Sequence, residues 1–231
     1  MRKMNIFAAV LVCTAVIGFV LSGCKAEAAS EASNKQPVLG GWSLVTDNTP
    51  AMMSEKDSSR INDVLTGEGS NFEVISLVAT QVVSGANYMY LVYGTEAGST
   101  TPGYYFVTLY EDTKGNDSVI GIESIDVTAI RTGTPLGAGA TGTWAVKGTG
   151  KPGMLPDQDA QASFDAINKG EVMYNPVALL ATQVVSGTNY KALCSGSDKN
   201  LYVVTWYRDL QGNSSLTSAE CVNIGAYSGL N

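Results

Sequence analysis

The chain has 231 residues, enough for one large domain or two small ones, and with 45% apolar and only 15% charged residues it is not a disordered polymer. Its 14 basic and 21 acidic residues leave a net charge of −7, which argues against nucleic acid as a partner, because a phosphate-binding face needs clustered Lys and Arg. Histidine is absent, which excludes Ser–His and Cys–His nucleophile pairs, histidine acid–base chemistry and histidine-ligated zinc; neither an enzyme nor a bound metal or cofactor is expected.

At the N-terminus, Arg2 and Lys3 precede an apolar run from Ile6 to Leu21, broken only by Thr14 and Gly18. The run is shorter than the roughly 20 residues of a bilayer span and fits the h-region of a secretory signal. It ends in Leu21-Ser22-Gly23-Cys24, a tetrapeptide that resembles the bacterial lipobox. That resemblance implies a signal at residues 1–23, cleavage before Cys24, and a diacylglycerol on the Cys24 thiol. The protein would then sit in a bacterial cell envelope, lipid-anchored to the membrane and extracytoplasmic. Cleavage removes Arg2 and Lys3 and no acid, so 12 basic and 21 acidic residues remain, a net of −9. Residues 24–38 are the lipidated cysteine and a small, polar, aromatic-free stretch, read as a flexible tether. No segment is expected to span the membrane.

The remaining chain is one module written twice. Ala79-Thr-Gln-Val-Val-Ser-Gly85 recurs 102 residues later as Ala181-Thr-Gln-Val-Val-Ser-Gly187. The same offset pairs Trp42 with Trp144, Asp63 with Asp165, Leu77 with Leu179, and Asn87-Tyr88 with Asn189-Tyr190. Beyond Leu91 and Leu193 the second copy is five residues shorter, and the offset of 97 pairs Tyr110 with Tyr207, Asp112 with Asp209, and Gly115-Asn116 with Gly212-Asn213. One unit covers residues 39–130 and the other 143–231, with the Gly/Thr/Pro-rich stretch 131–142 as linker.

Within a unit, a short strand starts at Trp42 (Trp144). A helix follows over about 54–66, with Ser54 and Asp57 as a capping box, Gly67 as its C-cap, and Ile61, Val64 and Leu65 on one face. In the second unit Pro156 opens the helix, Phe164 and Ile167 supply its face, and Gly170 ends it. A long strand over about 72–83 places Ile75, Leu77 and Ala79 on one alternating face. Val-Val-Ser-Gly turns the chain into further strands at Asn87–Tyr93, Tyr104–Tyr110 and about Val119–Val127. This order predicts an α+β fold, two tandem units, each a four- to five-stranded antiparallel sheet on one helix. Trp42 and Trp144 are read as plugs of that sheet–helix core, with a binding role for the rings as the alternative.

These residues and spacings resemble the cystatin superfamily, and stefins most closely. The family pattern is an N-terminal glycine trunk, a Gln-x-Val-x-Gly first hairpin and a second hairpin near the C-terminus. The first unit has Gly40-Gly41, Gln81-Val82-Val83-Ser84-Gly85 and Asn87-Tyr88. The second has Gly142, Gln183-Val184-Val185-Ser186-Gly187, Asn189-Tyr190 and Leu210-Gln211-Gly212-Asn213. The resemblance implies two cystatin-like domains whose trunk and hairpins enter the cleft of a papain-like cysteine peptidase and inhibit it reversibly. The residues so implied are Gly40, Gly41, Gln81, Val82, Val83, Ser84 and Gly85 in the first unit. In the second they are Gly142, Gln183, Val184, Val185, Ser186, Gly187, Leu210 and Gly212. Departures are a shorter helix, no Pro-Trp in either second hairpin, polar Thr113-Lys114-Gly115 in the first unit's second hairpin, Gln211 where stefins have Pro, and Ser84 and Ser186 in place of Ala.

Three points stay open on sequence alone. Glu111, Asp112 and Asp117 form an acidic group that is either a solvated hairpin or a calcium site. For Cys194 and Cys221, an exported compartment favours a disulfide, whereas a strict meander puts a strand between them, about 9–10 Å apart, beyond the roughly 7 Å a disulfide spans. Finally, the same module would also serve a non-inhibitory binding or adhesion lipoprotein, since a fold does not fix a function.

Overall fold

A computed structural model describes residues 40–45, 55–67, 69–127, 142, 144–147 and 155–227. The signal, Cys24, the tether, the Ser54 cap and residues 131–141 of the linker lie outside the described residues.

Each copy has the same order of elements. In the first, β1 (Trp42–Leu44) is followed by α1 (Glu55–Gly67), β2 (Asn71–Val83), β3 (Gly85–Thr95), β4 (Gly103–Glu111) and β5 (Asp117–Ile125). In the second, β6 (Trp144–Val146) is followed by α2 (Gln158–Ile167), β7 (Tyr174–Val185), β8 (Gly187–Gly196), β9 (Leu201–Arg208) and β10 (Ser214–Cys221). The strands form two five-stranded sheets, β1-β2-β3-β4-β5 and β10-β9-β8-β7-β6. All neighbours pair antiparallel. The fold is α+β.

Each helix lies on one face of its own sheet. Ile61 and Leu65 of α1 pack on Tyr90, Val92, Tyr105, Val107 and Leu109. Ala160 and Phe164 of α2 pack on Leu179, Tyr190, Ala192, Val204 and Trp206. The Trp206 indole stacks on Tyr190 with centroids 5.1 Å apart, and its N–H donates to Ser163 Oγ at 2.8 Å. Asp157 caps α2 by accepting from the Ala160 N–H, and the Asn168 N–H donates to the Phe164 carbonyl at the other end. Pro156 therefore precedes the N-cap, and Asn168 takes the terminating role expected of Gly170, because a side-chain acceptor and a C-terminal backbone donor already satisfy the helix ends.

The opposite faces of the two sheets pack on each other. Ile75, Val78, Ala79, Met89, Leu91, Tyr104 and Phe106 share one buried cluster with Ala178, Leu180, Ala181, Leu193, Leu201, Val203 and Ile224. Adjacent residues along β3 and β4 thus alternate between two cores, Tyr90 toward the helix and Leu91 toward the other sheet. This is why both strands read as nearly continuous apolar runs rather than alternating ones. Each such side chain contributes about 1.5–3 kcal/mol when fully buried. Trp42 and Trp144 pack against this inter-sheet cluster rather than in the sheet–helix cores.

Long β2 does not keep a simple two-residue alternation. Its register with β3 shifts between Val74 and Ser76 and again between Leu77 and Ala79. β7 shifts at the matching Pro176/Ala178 and Leu179/Ala181. Each bulge inserts one residue and reverses the phase, so Leu77 faces the helix while Ile75 and Ala79 face the other sheet.

Polar contacts lock the two sheets together. The Tyr104 phenol donates to the Leu179 carbonyl at 2.8 Å and also contacts the Lys147 carbonyl. Burial pushes its pKa up, so it stays a donor throughout the physiological range. Lys191 is buried, with Nζ 4.2 Å over the Trp144 ring and donating to the Val127 carbonyl at 2.8 Å. The matching residue of the first unit is Met89, so this clip exists in one copy only.

Cys194 and Cys221 both stand opposite Tyr202 of the intervening β9. Cys194 is a free thiol, fully buried, and burial pushes its pKa up. Because the Cys194 thiol is free, it is not bonded to Cys221. The question left open by the sequence is thus answered against a bond between these two cysteines.

A shared core predicts shared unfolding. The whole chain is expected to melt in a single calorimetric transition. Tyr104→Phe strips a donor from a buried carbonyl, costs about 1–2 kcal/mol and lowers that one midpoint by roughly 2–8 °C. Two separate transitions, only one of them moved, would contradict this packing.

Candidate functional site

One end of each sheet gathers three elements. The segment before β1, the β2–β3 hairpin and the β4–β5 hairpin meet at the first sheet's edge, where Ala86 pairs with Glu111 and Glu111 with Asp117. The second sheet repeats this with Gly142, the β7–β8 hairpin and the β9–β10 hairpin, Thr188 pairing with Arg208.

The trunk glycine is tied to the first hairpin at two points. The Gly40 N–H donates to the Val82 carbonyl at 3.0 Å, and the Gln81 amide donates back to the Gly40 carbonyl at 2.9 Å. Asn87 then donates to Gln81 Oε1 at 2.6 Å. The second unit repeats the chain of bonds, with 2.8 Å for Gly142 to Val184, 2.6 Å for Gln183 to Gly142 and 2.7 Å for Asn189 to Gln183. Gln81 and Gln183 are therefore buried and turned inward. They position the trunk and leave only a small part of their surface exposed.

The tips are single exposed serines, Ser84 and Ser186, between Val83–Gly85 and Val185–Gly187 pairs. Gly85 and Gly187 have φ of +118° and +123°. A Cβ on either would lie 2.2 Å from the Glu111 carbonyl oxygen or 2.4 Å from that of Arg208. Glycine is required because the neighbouring strand's backbone passes against the turn. A tyrosine braces each tip: Tyr110 donates to the Ser84 carbonyl at 2.6 Å, and Tyr207 contacts that of Ser186.

The second hairpins share one turn chemistry. Asp112 Oδ1 accepts from the N–H groups of Lys114 and Asn116 at 2.7 and 2.9 Å, and Oδ2 accepts from the Asn116 amide at 2.7 Å. Asp209 does the same with Gln211, Asn213 and the Asn213 amide at 2.9, 2.8 and 2.8 Å. The side-chain bond from Asn116 or Asn213, with the backbone donors behind it, holds each carboxyl below the ordinary carboxylate range.

Similar scaffolds carry different tips. In the second unit Val184 is 62% exposed, Val185 36% and Leu210 78%. In the first, Val82 and Val83 are half-buried, and exposed Thr113 and Lys114 stand where Leu210 and Gln211 stand in the second. The acidic group of the first unit is committed elsewhere. Arg60, 4.7 Å over the Tyr88 ring, pairs with Glu111 at 2.6 Å and Asp117 at 3.2 Å, while Asp112 holds its turn. Among the described residues no group of three acidic, histidine or cysteine side chains is placed to hold a metal ion, and no helix is long and apolar enough to cross a membrane.

Sequence reasoning brought together the trunk and hairpin residues now found at each edge. It missed Asn87 and Asn189 as the inner half of the clip, Tyr110 and Tyr207 as braces, and Asp112 and Asp209 as turn anchors. The signal was present, since these three positions carry the same residue in both copies. The fold is thus an α+β pair of antiparallel sheets, each ending in a three-element edge. No protein-family model matches the chain, and no curated protein matches it.

Two outcomes follow from this geometry. Gly187→Ala is expected to destabilise the chain by roughly 2 kcal/mol or more through the clash with Arg208, whereas Gly212→Ala, with positive φ but nothing closer than 3.8 Å, costs less; chemical denaturation of both variants checks the order. The Asp112 and Asp209 carboxyls have lowered pKa values in the fold. Their turn bonds are thus fully present above the unfolded value of about 4 and are lost as pH falls through the lower folded value, so the amide resonances of Asn116 and Asn213 should titrate below about pH 4.

Proposed function

We propose that this chain is a reversible inhibitor of papain-like cysteine peptidases, built as two cystatin-like units and held at the outside of a bacterial membrane by lipid on Cys24. The observation that carries the reading is the three-element edge, in which trunk, first hairpin and second hairpin meet at the end of a sheet, twice. Such an edge acts as a wedge. It fills the peptidase cleft from both sides of the nucleophile and offers no bond for it to attack. Gly40, Gly41 and Gly142 let the trunk backbone lie close to a cleft wall. The first hairpins present Val-Val, and the second unit adds Leu210, side chains that are costly to leave in water and favourable to bury. The Gln–Asn clips and tyrosine braces hold the edge rigid before binding, which limits the entropy lost on docking. The chain has no histidine and its Cys194 thiol is buried with a raised pKa, so neither supplies a nucleophile of its own.

A second reading, a binding or adhesion lipoprotein, draws support from a cavity of about 480 Å³ between the units, bordered by Trp42, Leu44, Lys199, Asn200 and Ile224. The two readings part on the apolar tips. Papain activity is titrated with the soluble chain from residue 25. Inhibition is expected from the parent, and the Val184→Asp, Leu210→Asp pair is expected to weaken it at least about 30-fold, as loss of a binding hot spot does, with the melting midpoint unchanged. Full papain activity at low-micromolar parent would reject the inhibitor reading in favour of the cavity.

A further inference from the structure

The two edges differ in direction as well as in chemistry. Trp42 and Leu44 lie beside Gln81 and Ala79, toward the hairpin edge of the first sheet. They border the inter-unit cavity together with Lys199 and Asn200 of the β8–β9 turn and Ile224 beyond β10. Those residues lie at the end of the second sheet remote from Val184 and Leu210. In the reverse direction, Tyr104 and Val127, at the remote end of the first sheet, reach Leu179 and Lys191 in the middle of the second. The hairpin edge of one sheet therefore lies over the loop end of the other. Strands of about 12 residues at roughly 3.3 Å per residue set the two edges on the order of 40 Å apart.

The chain enters the first unit at Gly40, which is bonded to Val82 in the first edge. Whatever holds the N-terminus thus holds it at that edge. It is also the polar edge, with Thr113 and Lys114 exposed at its second hairpin and Val82 and Val83 half-buried. The remote edge carries Val184, Val185 and Leu210 exposed together.

We propose that the two units divide the work: the edge of the second unit alone engages a peptidase cleft, one per chain, and the first unit is the mount that turns this edge away from the tether. This rests on the reading of the edges as peptidase wedges. The Asp112 and Asp209 turns support the division, because they are alike in backbone bonding and differ at the two side chains that would touch a partner. The Lys191 clip to Val127 supports it too, because it fixes the second sheet on the end of the first and has no counterpart in the other direction.

The test counts papain molecules, active site blocked, bound by the soluble chain from residue 25 in a calorimetric titration. One per chain is expected, lost with Leu210→Asp and unchanged with the matching Thr113→Asp. Two per chain, or equal loss from both variants, overturns the proposal. A distance between spin labels at Ser84→Cys and Ser186→Cys gives a readout without papain. A separation beyond about 30 Å is expected, whereas one under about 20 Å, as for edges side by side on sheets about 10 Å apart, overturns the division of labour. Should papain bind nowhere, the inhibitor reading fails, and the label distance alone decides whether the edges are set apart.

Discussion

The face shared by the two sheets is the constraint on which the rest of the molecule depends. A five-stranded sheet with one helix covers only one of its faces. Here the uncovered faces cover each other, through Met89, Leu91, Tyr104 and Phe106 on one side and Leu180, Leu193, Leu201 and Val203 on the other. The Tyr104 phenol and the Lys191 ammonium at that interface are bonded to backbone carbonyls, and Lys191 also lies over an aromatic ring, which offsets the cost of burying them. The helices are left on the outside and the hairpin edges at the ends. A duplicated sequence has thus become one body rather than two beads on a string.

Within that body the repeat kept its framework and changed its tips. The clip from glycine trunk to Gln to Asn is reproduced bond for bond, as are the Asp–Asn turn and the turn glycine held under a neighbouring carbonyl. These are positions where a different side chain would leave a buried amide unpaired or strike backbone. The surface side chains at the tips carry no such constraint, and there Thr113-Lys114 and Leu210-Gln211 diverged. A partner would meet those side chains first, so the difference between the units falls where it bears on binding.

Much of the architecture was legible in the sequence, because two copies of a pattern act as a check on each other. The order of strand, helix and four strands follows from the repeat and from turn chemistry, whereas the meeting of trunk and hairpins was only what a family resemblance implied. The shared core was written as plainly, in the unbroken apolar runs Met89–Val92 and Tyr104–Val107, but one-face alternation was the wrong template for strands buried on both faces. The bulges at Ile75 and Val78 were invisible, since no residue type marks them and each reverses which face the next side chain takes. Gln81 and Gln183 read as contact residues only through the family resemblance; the structure brings a backbone carbonyl and an asparagine to satisfy them. The spacing of Cys194 and Cys221 gave the right geometric objection, and the intervening Tyr202 strand upholds it.

The apolar edge of the second unit is the surface proposed to meet a partner. Amide hydrogen exchange of the intact soluble chain, with and without active-site-blocked papain, tests it most directly. New protection is expected at Gly142, across Val184–Thr188 and across Asp209–Asn213, with the first unit's Asp112–Asn116 turn exchanging as before. Protection along the β10 edge or around the Trp42 cavity, with those segments unchanged, would contradict it.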